Sequence, residues 1–451
     1  VRATFALLLG FLLALTLVVW RIQPPAEANG VAKVVRVSDS NNLRQEQVDL
    51  FNKTHPAIDM VIDPSAGDAQ PVIVESIGGD GPDCFDCFST FQLSAYVLSG
   101  IALDVTDALK AKGLDVTKDC YLGALGTCLY NGRIYGVPTN IAADGIWYHK
   151  DLFRSLGIPA HKSAWTWAEI IPLAQKLTIR DGQGHPIRYG FMFEWWNWAH
   201  FFAGFGAHVY SPDGTRCTVD SPAAIAAVQM MHDLVYKYHV SSTPVEDASM
   251  ATAGGFGSGA MSIFGAKHAA MALGGRWWLA QLRTYKDIDI GVMESPVGKV
   301  RAFHAYGRST LINRFSPHAA ECLEYLLYQS QAPYNNLVNE QADGMSAFPR
   351  FNNSPAFFLN PKYPKETDNA VWKDIAEHAH ADDTSPFFNG DVTTQIMKEQ
   401  LDLVQANEKS PADAMKTAAS EINARMLDSL KDDPELSAKY RALIAKEKPS
   451  G

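Results

Sequence analysis

At 451 residues the chain exceeds the size at which one hydrophobic core keeps growing, so two or three lobes are expected. Hydrophobic residues at 47% and charged residues at 20% exclude the disordered and collagen-like classes. Asp and Glu outnumber Lys and Arg by 49 to 39 with no basic cluster, which speaks against a nucleic-acid partner because phosphate chains are held by positive surface.

In chain order, Arg2 precedes an uncharged apolar stretch from Ala3 to Trp20, followed by Arg21 and the small-residue run "PPAEANG". Residues 1–30 read as a signal peptide or an N-terminal membrane anchor, and the chain as exported. Cleavage after Ala28 and retention of residues 3–20 as an anchor both fit. The run "VAKVVRVSD" (31–39) reads as a strand, the next segment as a helix through Leu43, Gln47, Leu50 and Phe51, and "HPAIDMVID" as a strand alternating Ile58, Met60 and Ile62. Strand, helix and strand in about 35 residues form the βαβ unit of a parallel sheet. Six cysteines in an exported chain permit disulfides. Cys84 and Cys87 lie in a strand-like run, where positions three apart face opposite ways, so a redox pair or half a zinc site is not expected. Cys120 and Cys128 flank a short loop and form the expected bridge.

Further along, Thr166 and Glu169 stand at capping-box spacing and start a helix that Pro172 should kink. Ser221 and Pro222 start another, with Ile225, Val228, Met231, Val235 and Tyr238 on one face. "GGFGSGAMSIFG" (254–265) fits no phosphate-binding pattern and reads as a flexible loop. "EHAHADD" (377–383) reads as a solvated helix end and not a metal site, since residues two apart on a helix diverge. No hydrolase signature is present. No metal or cofactor is expected, and an enzyme is not the favoured reading.

The segment 131–178 carries a specific set of motifs: Gly132 to Pro138, then Tyr148-His149-Lys150-Asp151-Leu152-Phe153, then Thr166-Trp167-Ala168-Glu169. It resembles the extracellular solute-binding proteins of family 1, the sugar-binding subunits of ABC importers, with His149 replacing their asparagine. "FGAKHAAMALGGRW", "DIGVMESPVG" and "SAFP" extend the resemblance over most of the chain, the tail from about 431 excepted. The resemblance implies a two-lobed α/β periplasmic-binding fold, each lobe a mainly parallel sheet flanked by helices, with a hinge and an interlobe cleft. The implied lobes are 31–139 plus 290–330 and 140–289 plus 331–430, followed by a tail at 431–451. Chain crossings are expected near Val137–Ala143, Ile288–Val292 and 327–333. It also implies a monomer that hands its solute to an ABC transporter permease in the membrane.

A sugar presents C–H faces ringed by hydroxyls, so aromatic platforms beside a few polar groups are expected in the cleft. In "EWWNWAHFF", Trp198, Phe201, Phe202 and Phe205 recur at helical spacing and read as core. Trp195 and Trp196 stand at a strand-to-helix turn, where such sheets open their crevice, and at least one is expected to face solute. The resemblance gives Trp277 the family's G-x-W position and a stacking role, which Trp278 could exchange with it. Asp39, Thr90 and Asn140 fall where the family places ligand-contacting loops. The family's maltose-binding member carries aspartate where Thr90 stands, which puts maltose itself in doubt. Arg308 reaches either an acidic group or the surface. The alternatives to a sugar are a polyol, a glycerophosphodiester or an acidic sugar in the same fold, or an exported glycosidase.

Overall fold

The computed structural model describes residues 32–37, 42–63, 69–159, 165–246, 258–285 and 288–447. The export segment and Asp39 therefore lie outside the described residues. Among the described residues no helix is long and apolar enough to cross a membrane.

Strand β1 (Ala32–Val37) pairs in parallel with β2 (Ile58–Asp63) and with β3 (Cys84–Cys87). Between β1 and β2, helix Asn42–Thr54 buries Gln47 and Phe51 of the expected face, with Leu43 and Leu50 half-buried, and also Val48, which the sequence reading does not include. Ser89 caps helix Thr90–Leu98 by accepting from Gln92 N at 3.1 Å. After a small hairpin of β4 (Leu129–Tyr130) and β5 (Arg133–Ile134), the chain enters β6 (Gly136–His149), fourteen residues long and buried throughout.

Strand β6 joins the two halves of the molecule. Gly136 to Ala143 pair with β11 (Phe303–Ile312), which continues antiparallel onto β3. From Asp144 onward the partners are β9 (Ala269–Gly275) and β10 (Ile290–Met293). β9 pairs in parallel with β8 (Pro186–Met192), and β8 pairs with the edge strand β7 (Ile179–Arg180). The peptide between Ala143 and Asp144 is thus where β6 leaves one lobe's sheet for the other's.

Three boundaries differ from the sequence expectation. β10 belongs with the second half of β6, so residues 290–293 are part of the second lobe, and the return crossing lies between Met293 and Phe303. Helix Ala332–Gln341 packs on helix Asn42–Thr54 of the first lobe, with Tyr334 Oη donating to Gln47 Oε1 at 3.1 Å. The last crossing therefore comes later than 327–333. It falls between Asn352, which donates to Tyr121 Oη at 3.3 Å, and Trp372, whose ring lies 5.1 Å from that of Trp147. In each case a contact distant in sequence, a strand pairing for β10 and side-chain contacts for the other two, decides which lobe the segment joins.

Local signals fared better. Glu169 accepts from the backbone N–H and hydroxyl of Thr166 at 3.0 and 2.9 Å, and helix Trp167–Leu177 runs on through Pro172. Ser221 caps helix Pro222–Tyr236. Residues Ser258–Gly265 are a helix and not a flexible loop, its Ala260 N–H donating to Glu194 Oε1 at 2.6 Å. At 377–383 the expectation holds in part: helix Asn369–Glu377 ends at the exposed Glu377 and His378, but Ala379–His380 form β12, which pairs with β11 and brings Asp382 to His304 at 2.8 Å.

All six cysteines are buried free thiols, so the expected Cys120–Cys128 bridge is not formed. Both side in the core of the first lobe, where Ser309 hydrogen-bonds Cys128 and burial pushes its thiol up to about 12. The closing helix Pro434–Glu447 packs Leu436, Tyr440 and Leu443 on the second lobe's core.

Candidate functional site

The strand exchange places a cavity of about 200 Å³ between the lobes. One side is aromatic, built by Trp196 and Trp277 of the second lobe together with Tyr306 of the first. Trp277 follows β9 in a single 3₁₀ turn, Arg276–Trp278, and its ring folds back over Gly275, where a Cβ would sit 1.7 Å from the indole. Glycine is needed there for that reason. Tyr306, on β11, stands with its ring centroid 5.5 Å from Trp277 and 5.6 Å from Trp196. Trp196 lies 6.4 Å from Trp277 and is 42% exposed, so the three rings form an open-sided box.

The other side is polar. Phe88 at the end of β3, Arg44 on helix Asn42–Thr54, Asn140 on β6, and the turn Asp343–Gly344 line it together with Arg308. Arg44 and Asp343 are directly ion-paired. Arg308 is 1% exposed, donating to Thr139 Oγ1, Gln47 Oε1 and Tyr334 Oη at 2.9, 3.0 and 3.0 Å, with Asp86 and Asp343 at 3.5 and 3.4 Å. Two arginines thus meet two aspartates, and the wall's charge is paired within the protein. Asn140 stands opposite Arg308 beside a bulge in the β6–β11 pairing, and its amide donates to the Asp343 carbonyl at 2.9 Å.

Arg276 ties the two sides together. It is buried and donates to Asn369 Oδ1 at 3.0 Å, to the Asn339 carbonyl at 3.3 Å and to the Gly344 carbonyl. Burial depresses its guanidinium to about 9. Gly344 takes a φ of +67°, and a Cβ there would lie 2.7 Å from the Ile141 carbonyl, so the turn requires glycine twice over.

Of the residues expected from sequence, Asn140, Trp277 and Arg308 come together at the cavity, and Trp196 flanks it. Arg308 is not a surface residue: it is 1% exposed and donates to Thr139, Gln47 and Tyr334. Trp278 is fully buried in the core and not exchangeable with Trp277, since one step along a 3₁₀ turn swings the side chain to another face. Trp195 packs on Phe193, 5.8 Å between centroids, in the second lobe's core. Thr90 is buried beside Gly126, and Phe88, two residues earlier, faces the cavity instead. Sequence reasoning missed Arg44, Phe88, Tyr306 and Asp343. Tyr306 was within reach, because residues two apart on a strand share a face and Arg308 had been singled out.

Two lobes exchanging strands around a cleft with one aromatic and one polar wall define a cleft-binding protein. The chain belongs to the bacterial extracellular solute-binding protein family, whose profile matches residues 38–331. The ABC substrate-binding protein of Listeria monocytogenes solved with cycloalternan superposes with a TM-score of 0.74 at 18% identity, covering 88% of this chain and 99% of that one. The maltose/maltodextrin-binding domain of Bdellovibrio bacteriovorus, bound to maltotriose, gives 0.71 at 17% identity, covering 88% and 100%. Among curated proteins, the periplasmic sn-glycerol-3-phosphate-binding protein of Agrobacterium fabrum is 26% identical over 162 residues. That match spans 33% of this chain and 35% of the relative.

Proposed function

We propose that the protein is the substrate-binding subunit of an ABC importer, capturing a sugar or oligosaccharide in the interlobe cleft by hinge closure and delivering it unchanged to a membrane permease. The observation that carries this reading is the box of Trp196, Trp277 and Tyr306 facing a wall whose charges are internally paired. Flat rings cover the C–H faces of a pyranose, while amide and guanidinium groups fixed by their neighbours meet its hydroxyls without a net charge to offset. The motif-derived role of Trp277 agrees with its place in the box. Among the described residues, Asp343 is the one carboxylate lining the cavity, which does not suit a glycosidase with its two opposed carboxyls.

The partial match to a glycerol-phosphate-binding protein favours a phosphate-bearing solute as second reading, but a phosphate would need a cation, and Arg44 and Arg308 are already engaged. The protein acts as a monomer on the outer face of the membrane, either freed by cleavage or held through residues 3–20. A thermal-shift screen tests the reading, because a ligand bound at 100 times its Kd stabilises by about 2.7 kcal/mol. Maltooligosaccharides and mannooligosaccharides should raise the melting temperature, and sn-glycerol 3-phosphate should not. The reverse ranking would replace the first reading with the second.

A further inference from the structure

Beneath the aromatic box lies a buried titratable cluster that solute contacts alone do not explain. Asp144 is the first residue of β6 past the strand exchange and is fully buried. Its Oδ2 accepts from Asn197 Nδ2 at 2.8 Å, the Tyr306 hydroxyl faces the same carboxyl, and its Oδ1 has no hydrogen-bond partner. The Asn197 amide also reaches Tyr306 Oη at 3.4 Å, and its Oδ1 accepts from Glu194 N at 3.0 Å, closing the turn that carries Trp196. One carboxyl therefore sits under two of the three rings, held through a single asparagine.

The remaining ionisable groups around it are few. His304, on β11 beside Tyr306 with ring centroids 4.4 Å apart, supplies the nearby positive charge and is itself paired with Asp382. His200, on helix Trp198–Phe205, is buried behind His304 and depressed to about 3, so it stays neutral. β9 contributes Gly275 opposite Asp144 and no charge.

We propose that Asp144 is a positioning residue whose protonation sets the arrangement of Tyr306 and the Trp196 turn, so that solute binding is coupled to proton uptake. This rests on the cleft being the solute site. Burial raises the Asp144 carboxyl to about 7, against the lowering pull of Tyr306, His304 and Asn197. A solute seated on the rings covers the open side of the box, buries the cluster beneath it more deeply and penalises the charged form further. By linkage the protonated protein binds more tightly, and affinity falls as pH rises above 7, by at most about tenfold per pH unit for one proton.

The test begins without solute. Tryptophan emission of the wild type, titrated from pH 5 to 9, should show a transition near pH 7 that is missing in Asp144→Asn, an isostere of the neutral acid. A transition that persists in Asp144→Asn belongs to His304 and overturns the proposal. If Asp144→Asn does not fold, the infrared band of a neutral carboxylic acid should vanish from the wild type between pH 6 and 8, and its absence from the pH 6 spectrum overturns the proposal equally. Calorimetry with maltotriose in buffers of different ionisation enthalpy should then report proton uptake at pH 7 in the wild type and none in the variant. Maltotriose binding without proton uptake defeats the coupling. If maltotriose does not bind at all, the sugar reading is what fails, and the emission titration still decides whether Asp144 sets the rings.

Discussion

Trp277 and Trp278 are adjacent residues with opposite fates, which makes them a sharp pair for mutagenesis. Trp277→Ala should weaken saccharide binding by a factor of roughly 30, since aromatic anchors at recognition sites contribute about 2 kcal/mol and 1.4 kcal/mol is tenfold. Its melting temperature should change little, and Trp277→Phe should recover part of the loss. Trp278→Ala should instead destabilise the fold by about 3–5 kcal/mol through the cavity it leaves, as calorimetric unfolding would reveal. Equal effects on binding and stability in the two variants would refute the assignment. Asp144 gives a pH prediction of defined sign. Its folded pKa, about 7, lies above the ordinary value of 3.8, so the stability it contributes is present at low pH and is lost as pH rises through 7. The melting temperature of Asp144→Asn should therefore exceed that of the wild type at pH 8 by more than it does at pH 5. Such environments were not legible in the sequence. Asp144 is one acid among 49, and only the strand exchange buries it. Trp277 could be placed because a motif carries it; Arg44 and Asp343 could not, because nearly 300 residues separate partners that the fold sets in contact.

Among the elements, those announced by capping residues or by alternation, as in β1 and β2, were readable, and the shortest ones, made by pairing alone, were not. The helices beginning at Trp167 and Pro222 declare themselves through Thr166–Glu169 and Ser221–Pro222. β12, two residues long, has no period to read and exists only because β11 offers it an edge. The final helix is a third case, weakly amphipathic and without a counterpart in the family to place it. Tyr440 Oη donates to the Thr215 carbonyl at 3.2 Å and its ring meets Phe387 at 5.2 Å. A chain ended at Asp433 should consequently lose thermal stability, by roughly 1 °C for each kcal/mol removed in a protein this size. Its affinity for saccharide should stay within twofold, because the helix lies away from the cavity. A large affinity loss on truncation would show that the helix also supports the site.

At the scale of the whole molecule, the two lobes and the family were legible from motif order, while the exact crossings were not. Closure around solute should reduce the radius of gyration in solution scattering when the protein is saturated with a saccharide found in the screen; an unchanged radius would argue against hinge closure. The thiols supply a second global test. Native protein should leave its six cysteines unreactive toward a thiol reagent, and all six should react once it is unfolded without reductant. Fewer than six would reveal a bridge formed after export.

The turn at Asp343–Gly344 belongs to both lobes at once: its carboxylate holds the arginines of the first, and its carbonyl receives Arg276 from the second. A rotation of the lobes about this point would leave it whole. The polar half of the binding surface is then finished when the chain folds, and its ordering entropy is lost there instead of at capture. Under the proposed closure, an arriving solute would meet a rigid wall carrying Tyr306 and Arg308 on one side and a tryptophan jaw of Trp196 and Trp277 on the other. Selection among solutes would therefore be read in how fast the jaw reopens, and residence time, more than rate of encounter, would separate good ligands from poor ones.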